Sequence, residues 1–261
     1  MRYISEDLEL NYEVIGNGTP IIMLNGYFND LIAWKSCMEL ILKNRPNYKR
    51  IYLDYPGTGK SNVSNSIKTW NNLLECILEF IEHVIPGENF IIVGHSVGAF
   101  LARGILKRKF EHIDGIMLTC PVVKPRLQDR CIDKKVSNML NINADRLKYI
   151  KARINREVVK SRKNTNKKYL KELRSNSIET EYDFDDLDKL FIKPALFVAG
   201  RQDTVVGYKD LYGLLDNYPR ASLIILDNGK HDIQIEQDDI FHILVHEWLS
   251  RIEDHIANSN K

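Results

Sequence analysis

Apolar and polar positions along the chain follow two recurring rhythms. Short apolar runs end in turn-forming residues, and most are followed by a stretch where apolar residues recur every three or four positions. Residues 8–16, LELNYEVIG, alternate apolar and polar, as a half-exposed edge strand does. Residues 20–26, PIIMLNG, and 50–61, RIYLDYPGTGKS, are continuous apolar runs that end in turns, the pattern of strands covered on both faces. Residues 89–96, 113–121, 194–203 and 222–232 repeat that strand-then-loop unit. Between them, 33–42, 71–85 and 97–107 have helical spacing, and Leu73, Leu74, Ile77, Leu78 and Ile81 share one helix face. Residues 235–252 close the chain as an amphipathic helix. Strands alternating with helices predict an α/β fold with a mostly parallel central sheet flanked by helices.

The rhythm breaks in one region. Residues 124–176 hold 17 Lys or Arg against 5 Asp or Glu and read as charged helices with no buried strand. The run ETEYDFDDLD at 179–188 then turns acidic, and the alternation resumes at Ile192. The expected organisation is a core of 1–121 and 191–261, with 122–190 inserted between two strands of the sheet as a helical cap.

Composition narrows the class. With 261 residues, 44% of them hydrophobic, the chain can bury one large core. A net charge of +2 does not suit a protein built for polyanions, and no nucleic-acid partner is expected. Cys37, Cys76, Cys120 and Cys131 are far apart and form no CxxC pair, which argues against a zinc site or a disulfide framework. The N-terminal stretch lacks a signal-peptide core, and no apolar run approaches membrane-spanning length. The expectation is a cytoplasmic protein without stable membrane insertion.

Candidate chemistry centres on residues 91–100, IIVGHSVGAF. Gly94-His95-Ser96-Val97-Gly98 fits G-x-S-x-G where a strand passes sharply into a helix. Small residues two before and two after the serine let neighbouring backbone approach, and the turn lifts its hydroxyl above the C-terminal edge of the sheet. A serine at its ordinary pKa needs a base, and the base needs an orienting carboxylate. In the chain order Ser, acid, His, Asp203 follows the apolar run 195–199 and His231 follows 223–226. Both thus fall at strand ends on the same edge as Ser96. The loop after the strand at 113–119, TCPVV, offers no competing carboxylate.

With these residues in view, the chain resembles the α/β-hydrolase fold superfamily, in its single-domain esterase, lipase and peptidase branch. The likeness runs over nearly the whole chain and is weakest in 122–190, where that family carries a variable helical cap. IIVGHSVGA resembles its nucleophile elbow, GRQDTVV its acid loop, GKHD its histidine loop and LDYPGTGKS its D-x-x-G-x-G-x-S loop. The resemblance implies Ser96 as nucleophile, Asp203 as acid and His231 as base. It also implies an oxyanion hole from the backbone N–H groups of Val97 and Tyr27. The loop holding Tyr27 begins Asn25-Gly26 where the family commonly has His-Gly. No metal or organic cofactor is implied. The expected reaction is cleavage of a carboxylic ester or related acyl bond in a small substrate. Thioesterase, aminopeptidase and C–C bond hydrolase chemistry, and a non-catalytic ligand-binding role, remain open alternatives on the same residues.

Two look-alikes are set aside. GTGKS at 57–61 resembles the end of a phosphate-binding loop, but Asp54 stands where that pattern requires glycine. His242 and His246 have i, i+4 spacing on the closing helix, with Ile243 where a zinc-protease helix has glutamate. The basic insertion, without interleaved aromatics, is expected to be a solvated cap rather than a surface that steers anions.

Overall fold

A computed structural model of the chain describes residues 1–133, 135–136, 139–178, 182 and 184–259. Glu179, Glu181 and Asp183 of the acidic run, and Lys134 of the basic one, lie outside the described residues. The core is an eight-stranded sheet built from β1 (Arg2–Ser5), β2 (Leu8–Ile15), β3 (Thr19–Leu24), β4 (Tyr48–Leu53), β5 (Phe90–His95), β6 (Ile113–Thr119), β7 (Ala195–Gly200) and β8 (Ala221–Leu226). Their spatial order is β1-β2-β4-β3-β5-β6-β7-β8. β1 and β2 pair antiparallel, as do β2 and β4; every junction from β4 to β8 is parallel. This mostly parallel sheet is the expected α/β class. β1 is an addition to the predicted elements. Its hairpin to β2 turns through Glu6 at φ +49°, so no glycine or asparagine marks the turn.

Helices α1 (Ile32–Leu42), α2 (Trp70–Val84) and α3 (Val97–Arg108) cover the sheet between strands. Thr69 and Asn72 cap α2 reciprocally, each side chain bonded to the other's backbone N–H at 3.2 Å. The continuous apolar runs fill β3, β5, β6 and β7, whose side chains are almost all buried. β8, at the far edge, is half-buried throughout.

Between β6 and β7 the chain leaves the sheet and forms α4 (Ala144–Ile154), a π-helical turn (Asn155–Val159) and α5 (Lys167–Ile178). The predicted closing helix is divided into α6 (Ile233–Glu236) and α7 (Asp238–Ser259), separated at Gln237. Among the described residues, no helix is long and apolar enough to cross a membrane.

The inserted segment is anchored by a buried ionic cluster. Arg153 forks onto Glu157 with two 2.9 Å hydrogen bonds and reaches Asp238 at the start of α7 at 2.6 Å. Tyr149 donates to the same carboxylate at 2.8 Å, and Arg146 pairs with it too. Arg103 of α3 forks onto Asp185 at 2.7 Å, tying the end of the segment to the core.

Candidate active site

The loop after β5 turns into α3 within one residue. Ser96 takes φ +56° and ψ −114°, a conformation that costs a non-glycine residue about 1–3 kcal/mol. The surroundings hold it there. The Ser96 N–H donates to Thr119 O at 3.0 Å, and its carbonyl accepts from Val122 N at 3.1 Å. The two flanking glycines are steric necessities. A Cβ on Gly98 would lie 2.2 Å from Leu24 O, and one on Gly94 would lie 2.5 Å from Gly98 O. Any side chain at either position would push the turn off the strand ends.

Ser96 meets Asp203 and His231, each more than a hundred residues further along the chain, at the C-terminal edge of the sheet. His231 Nε2 lies 3.0 Å from Ser96 Oγ, and His231 Nδ1 lies 2.8 Å from Asp203 Oδ2. The other carboxylate oxygen of Asp203 accepts from the backbone N–H of Val205 at 2.7 Å and Val206 at 3.1 Å. Burial works against the Asp203 carboxylate, but the His231 charge and these hydrogen bonds hold it below the ordinary carboxylate range. Burial likewise opposes an imidazolium at His231. The Asp203 charge and hydrogen bond, with Asp232 and Glu236, outweigh it and raise His231 above 6.5. The arrangement can take a proton from Ser96 Oγ and hold it on an imidazole paired with a carboxylate.

His95 belongs to the site as well, and no sequence signal marks it, because it occupies a freely variable position of the G-x-S-x-G pattern. Burial, then the charge of His231, push it down to about 4, so its ring is neutral near pH 7. Its Nε2–H donates to the backbone carbonyl of His231 at 2.9 Å. A strand-end residue thereby pins the loop that carries the His231 imidazole.

Tyr27 and Phe28 occupy the centre of a turn closed by Asn29 N–H to Gly26 O at 3.2 Å, and Phe28 takes φ +67°. Asn25, in place of the expected histidine, donates to Leu53 O at 2.8 Å and so ties this loop to β4. Val97 is the first residue of α3, so its N–H has no acceptor within the helix. Tyr27, Val97, Ser96 and His231 all line one cavity of about 210 Å³.

The rest of that wall departs from expectation. Arg130, Arg162 and Arg174, all from the inserted segment, line the cavity beside Trp70, Val122 and Val205. The insertion is therefore not merely a solvated cover.

The two look-alikes have other roles. The Asp54 carboxylate accepts from Leu31 N at 2.7 Å, Asn11 Nδ2 at 2.7 Å and Lys60 N at 2.9 Å, so the glycine-rich loop folds around an anion of its own chain. His246 Nδ1 accepts from Arg45 Nε at 3.1 Å. Among the described residues, one group of three potential metal ligands lies within 4.8 Å: Cys120, Asp203 and His231. Its donors are already engaged. Both His231 nitrogens bond Asp203 and Ser96, and burial keeps the Cys120 thiol protonated, with Sγ 3.5 Å from Lys230 O. The set fits a proton relay rather than a metal.

Residues 43–238 match the family described as Serine aminopeptidase, S33. The chain belongs to that family, within the α/β-hydrolase superfamily. An α/β superfamily hydrolase from Oenococcus oeni PSU-1 shares 28% identity, with 97% of this chain and 99% of that one covered and a TM-score of 0.84. An epoxide hydrolase from Bacillus megaterium has a TM-score of 0.72 at 16% identity, covering 93% and 97% of the two chains, and shares the fold. The uncharacterized hydrolase YugF of Bacillus subtilis (strain 168) is 25% identical over 122 residues, 46% of this chain; the match spans 43% of that relative. The protein is a hydrolase of the α/β-hydrolase fold.

Proposed function

We propose that this hydrolase cleaves a carboxylic ester or related acyl bond through an acyl-enzyme on Ser96. One observation carries the reading: a strained serine whose Oγ lies 3.0 Å from an imidazole that is itself 2.8 Å from a buried carboxylate. His231 takes the Ser96 proton as Oγ attacks the carbonyl carbon. Asp203 fixes the Nδ1–H tautomer and stabilises the imidazolium. The N–H groups of Val97 and Tyr27 hold the oxyanion, and His231 returns the proton to the leaving group. Water, activated by the same imidazole, then releases the acid and regenerates Ser96. Residues 122–190 serve as the cap, whose Arg130, Arg162 and Arg174 line the cavity that holds the acyl group. The four cysteines, all free, suit a reducing cytosol.

Serine chemistry favours an acyl bond over the epoxide opened by one fold neighbour. Attack of Ser96 on an epoxide would leave an ether, which an imidazole-activated water does not cleave. The test is a fluorophosphonate probe followed by peptide mapping. A single label at Ser96, absent in Ser96→Ala, supports the reading, and labelling elsewhere or full turnover by Ser96→Ala overturns it.

A further inference from the structure

We infer that the substrate carries a compact anion, a carboxylate or phosphate, which Arg162 and Arg174 bind beside Arg130. The inference rests on the serine-hydrolase reading for the position of the scissile bond. Its basis is a cluster of guanidinium groups that no carboxylate among the described residues pairs directly. Arg130 donates to three backbone carbonyls: Lys124 from Nε at 2.9 Å, Val205 from Nη1 at 2.7 Å and Pro125 from Nη2 at 2.9 Å. These bonds fix its fork without neutralising it. Val205 also donates its N–H to Asp203, so this arginine is braced against the loop that carries the relay carboxylate. Arg162 donates from Nε to the buried Asn29 Oδ1 at 2.9 Å, which leaves both Nη groups for a ligand. Burial and the nearby charge of Arg174 lower Arg130, and the charges of Asp203 and Asp210 offset that only in part.

Among the described residues, none of these three arginines has a carboxylate partner. Arg146, Arg153 and Arg156 of the same segment each have one. A second cavity of about 640 Å³ shares Phe28 and Arg162 with the first and adds Lys163 and Lys167, again with no carboxylate in its lining. Cations thus continue from the neighbouring cavity to the nucleophile. Clustered like charges raise the energy of the empty site, and a bound anion offsets that cost. Planar guanidinium groups match carboxylate and phosphate oxygens in pairs. Arg130, Arg162 and Arg174 line the same cavity of about 210 Å³ as Ser96. The anion and the acyl carbon therefore belong to one molecule, such as a half-ester of a short dicarboxylic acid or a phosphorylated acyl compound. The same wall disfavours an aminopeptide substrate, whose terminal ammonium would face arginines with no carboxylate to receive it.

The test compares kcat/KM for mono-4-nitrophenyl succinate with that for its neutral methyl ester, and adds alanine 4-nitroanilide as a cationic substrate. The anionic ester is expected to be preferred at least tenfold at low salt, with the preference shrinking at 1 M salt. In Arg162→Gln/Arg174→Gln the anionic-to-neutral ratio falls at least tenfold. Arg174→Lys recovers part of it, and Lys168→Gln on the exposed side of α5 leaves the ratio unchanged. If the double variant does not fold, Arg162→Gln alone reads the same ratio. Succinate and inorganic phosphate, as competitors of neutral-ester turnover, distinguish a carboxylate site from a phosphate site. A ratio near one in the native enzyme, or an unchanged ratio in the arginine variants, overturns the inference while leaving the serine mechanism intact. If instead no ester is turned over and Ser96 is not labelled, the mechanism fails. The anion site is then judged by succinate- and phosphate-induced thermal shifts. Loss of those shifts in the double variant upholds it, and equal shifts in both proteins overturn it.

Discussion

The cavity wall supplied by the sheet and the wall supplied by the β6–β7 segment carry charge in different ways. On the sheet side each charge has its complement: Asp203 is satisfied by His231 and two backbone N–H groups. The inserted segment divides by face. Where it anchors to α7, Arg153, Glu157 and Asp238 form a buried, closed cluster whose side chains are 3–6% exposed. Where it faces the cavity, Arg130 and Arg162 have polar partners, and no carboxylate among the described residues pairs with them or with Arg174. Arginines of one composition thus serve two ends. Paired and dry, they fix the segment on the core; unpaired, they leave binding energy for a ligand. Arg162 is exposed and Arg130 and Arg174 are half-buried, so each can stay charged without a carboxylate and still offer its guanidinium to a ligand, whereas the dry Arg153 cannot do without its partners.

The largest effect that would sharpen this comparison is on the sheet wall. Ser96→Ala is expected to lower kcat by about 10⁴–10⁶-fold, measured with the neutral ester, as for other serine triads. Retained turnover would mean that the chemistry lies on the other wall. Asp203→Asn is expected to cost about 10⁴ in kcat, because the amide favours the wrong imidazole tautomer while the fold persists. Circular dichroism should show the native fold, and near-normal activity would mean that the acid lies elsewhere.

The two faces of the segment are separated by stability. Arg153→Met leaves Glu157 and Asp238 buried without their shared partner and should lower the unfolding free energy by about 3–5 kcal/mol. Arg174→Met should change it by no more than about 1 kcal/mol, since no ion pair is lost. Equal losses in denaturant melts would erase the distinction between anchoring and cavity-facing arginines.

The smallest expected effect is on pH dependence. His231 must be neutral to accept the Ser96 proton, and its pKa is raised above 6.5. Activity should therefore fall as pH drops through a midpoint above 6.5, as the imidazole becomes protonated. Glu236, itself pushed up to about 7, chiefly by burial, is one of the carboxylates that stabilise the imidazolium. Glu236→Gln should move the acid limb of kcat/KM to slightly lower pH. A shift to higher pH would show that the sign of this interaction is wrong.

Much of the fold was legible because strands buried on both faces need continuous apolar runs, and β3, β5, β6 and β7 have them. β1 escaped because four residues carry little pattern and its turn uses Glu6. The residues of the relay were legible for a related reason. In a parallel sheet every strand ends at the same edge, so polar residues just past β5, β7 and β8 must gather there. His95 was not legible in that way, since its partner is a carbonyl 136 residues distant and the elbow pattern leaves its position free.

Local sequence, then, determined the layered α/β sheet, the elbow around Ser96 and the edge where Asp203 and His231 arrive, because backbone periodicity and strand direction are short-range properties. It also showed that residues 124–176 are strongly basic, but not what the charge is for. Arg130 and Arg162 lie in non-regular stretches and Arg174 in α5, with no shared period to mark a common face. Only the docking of the inserted segment onto α7 and the sheet decided that these three face Ser96 while Arg153 faces Glu157 and Asp238. Whether a charge is paired depends on distances across the tertiary fold, and a count of arginines along the chain does not contain those distances.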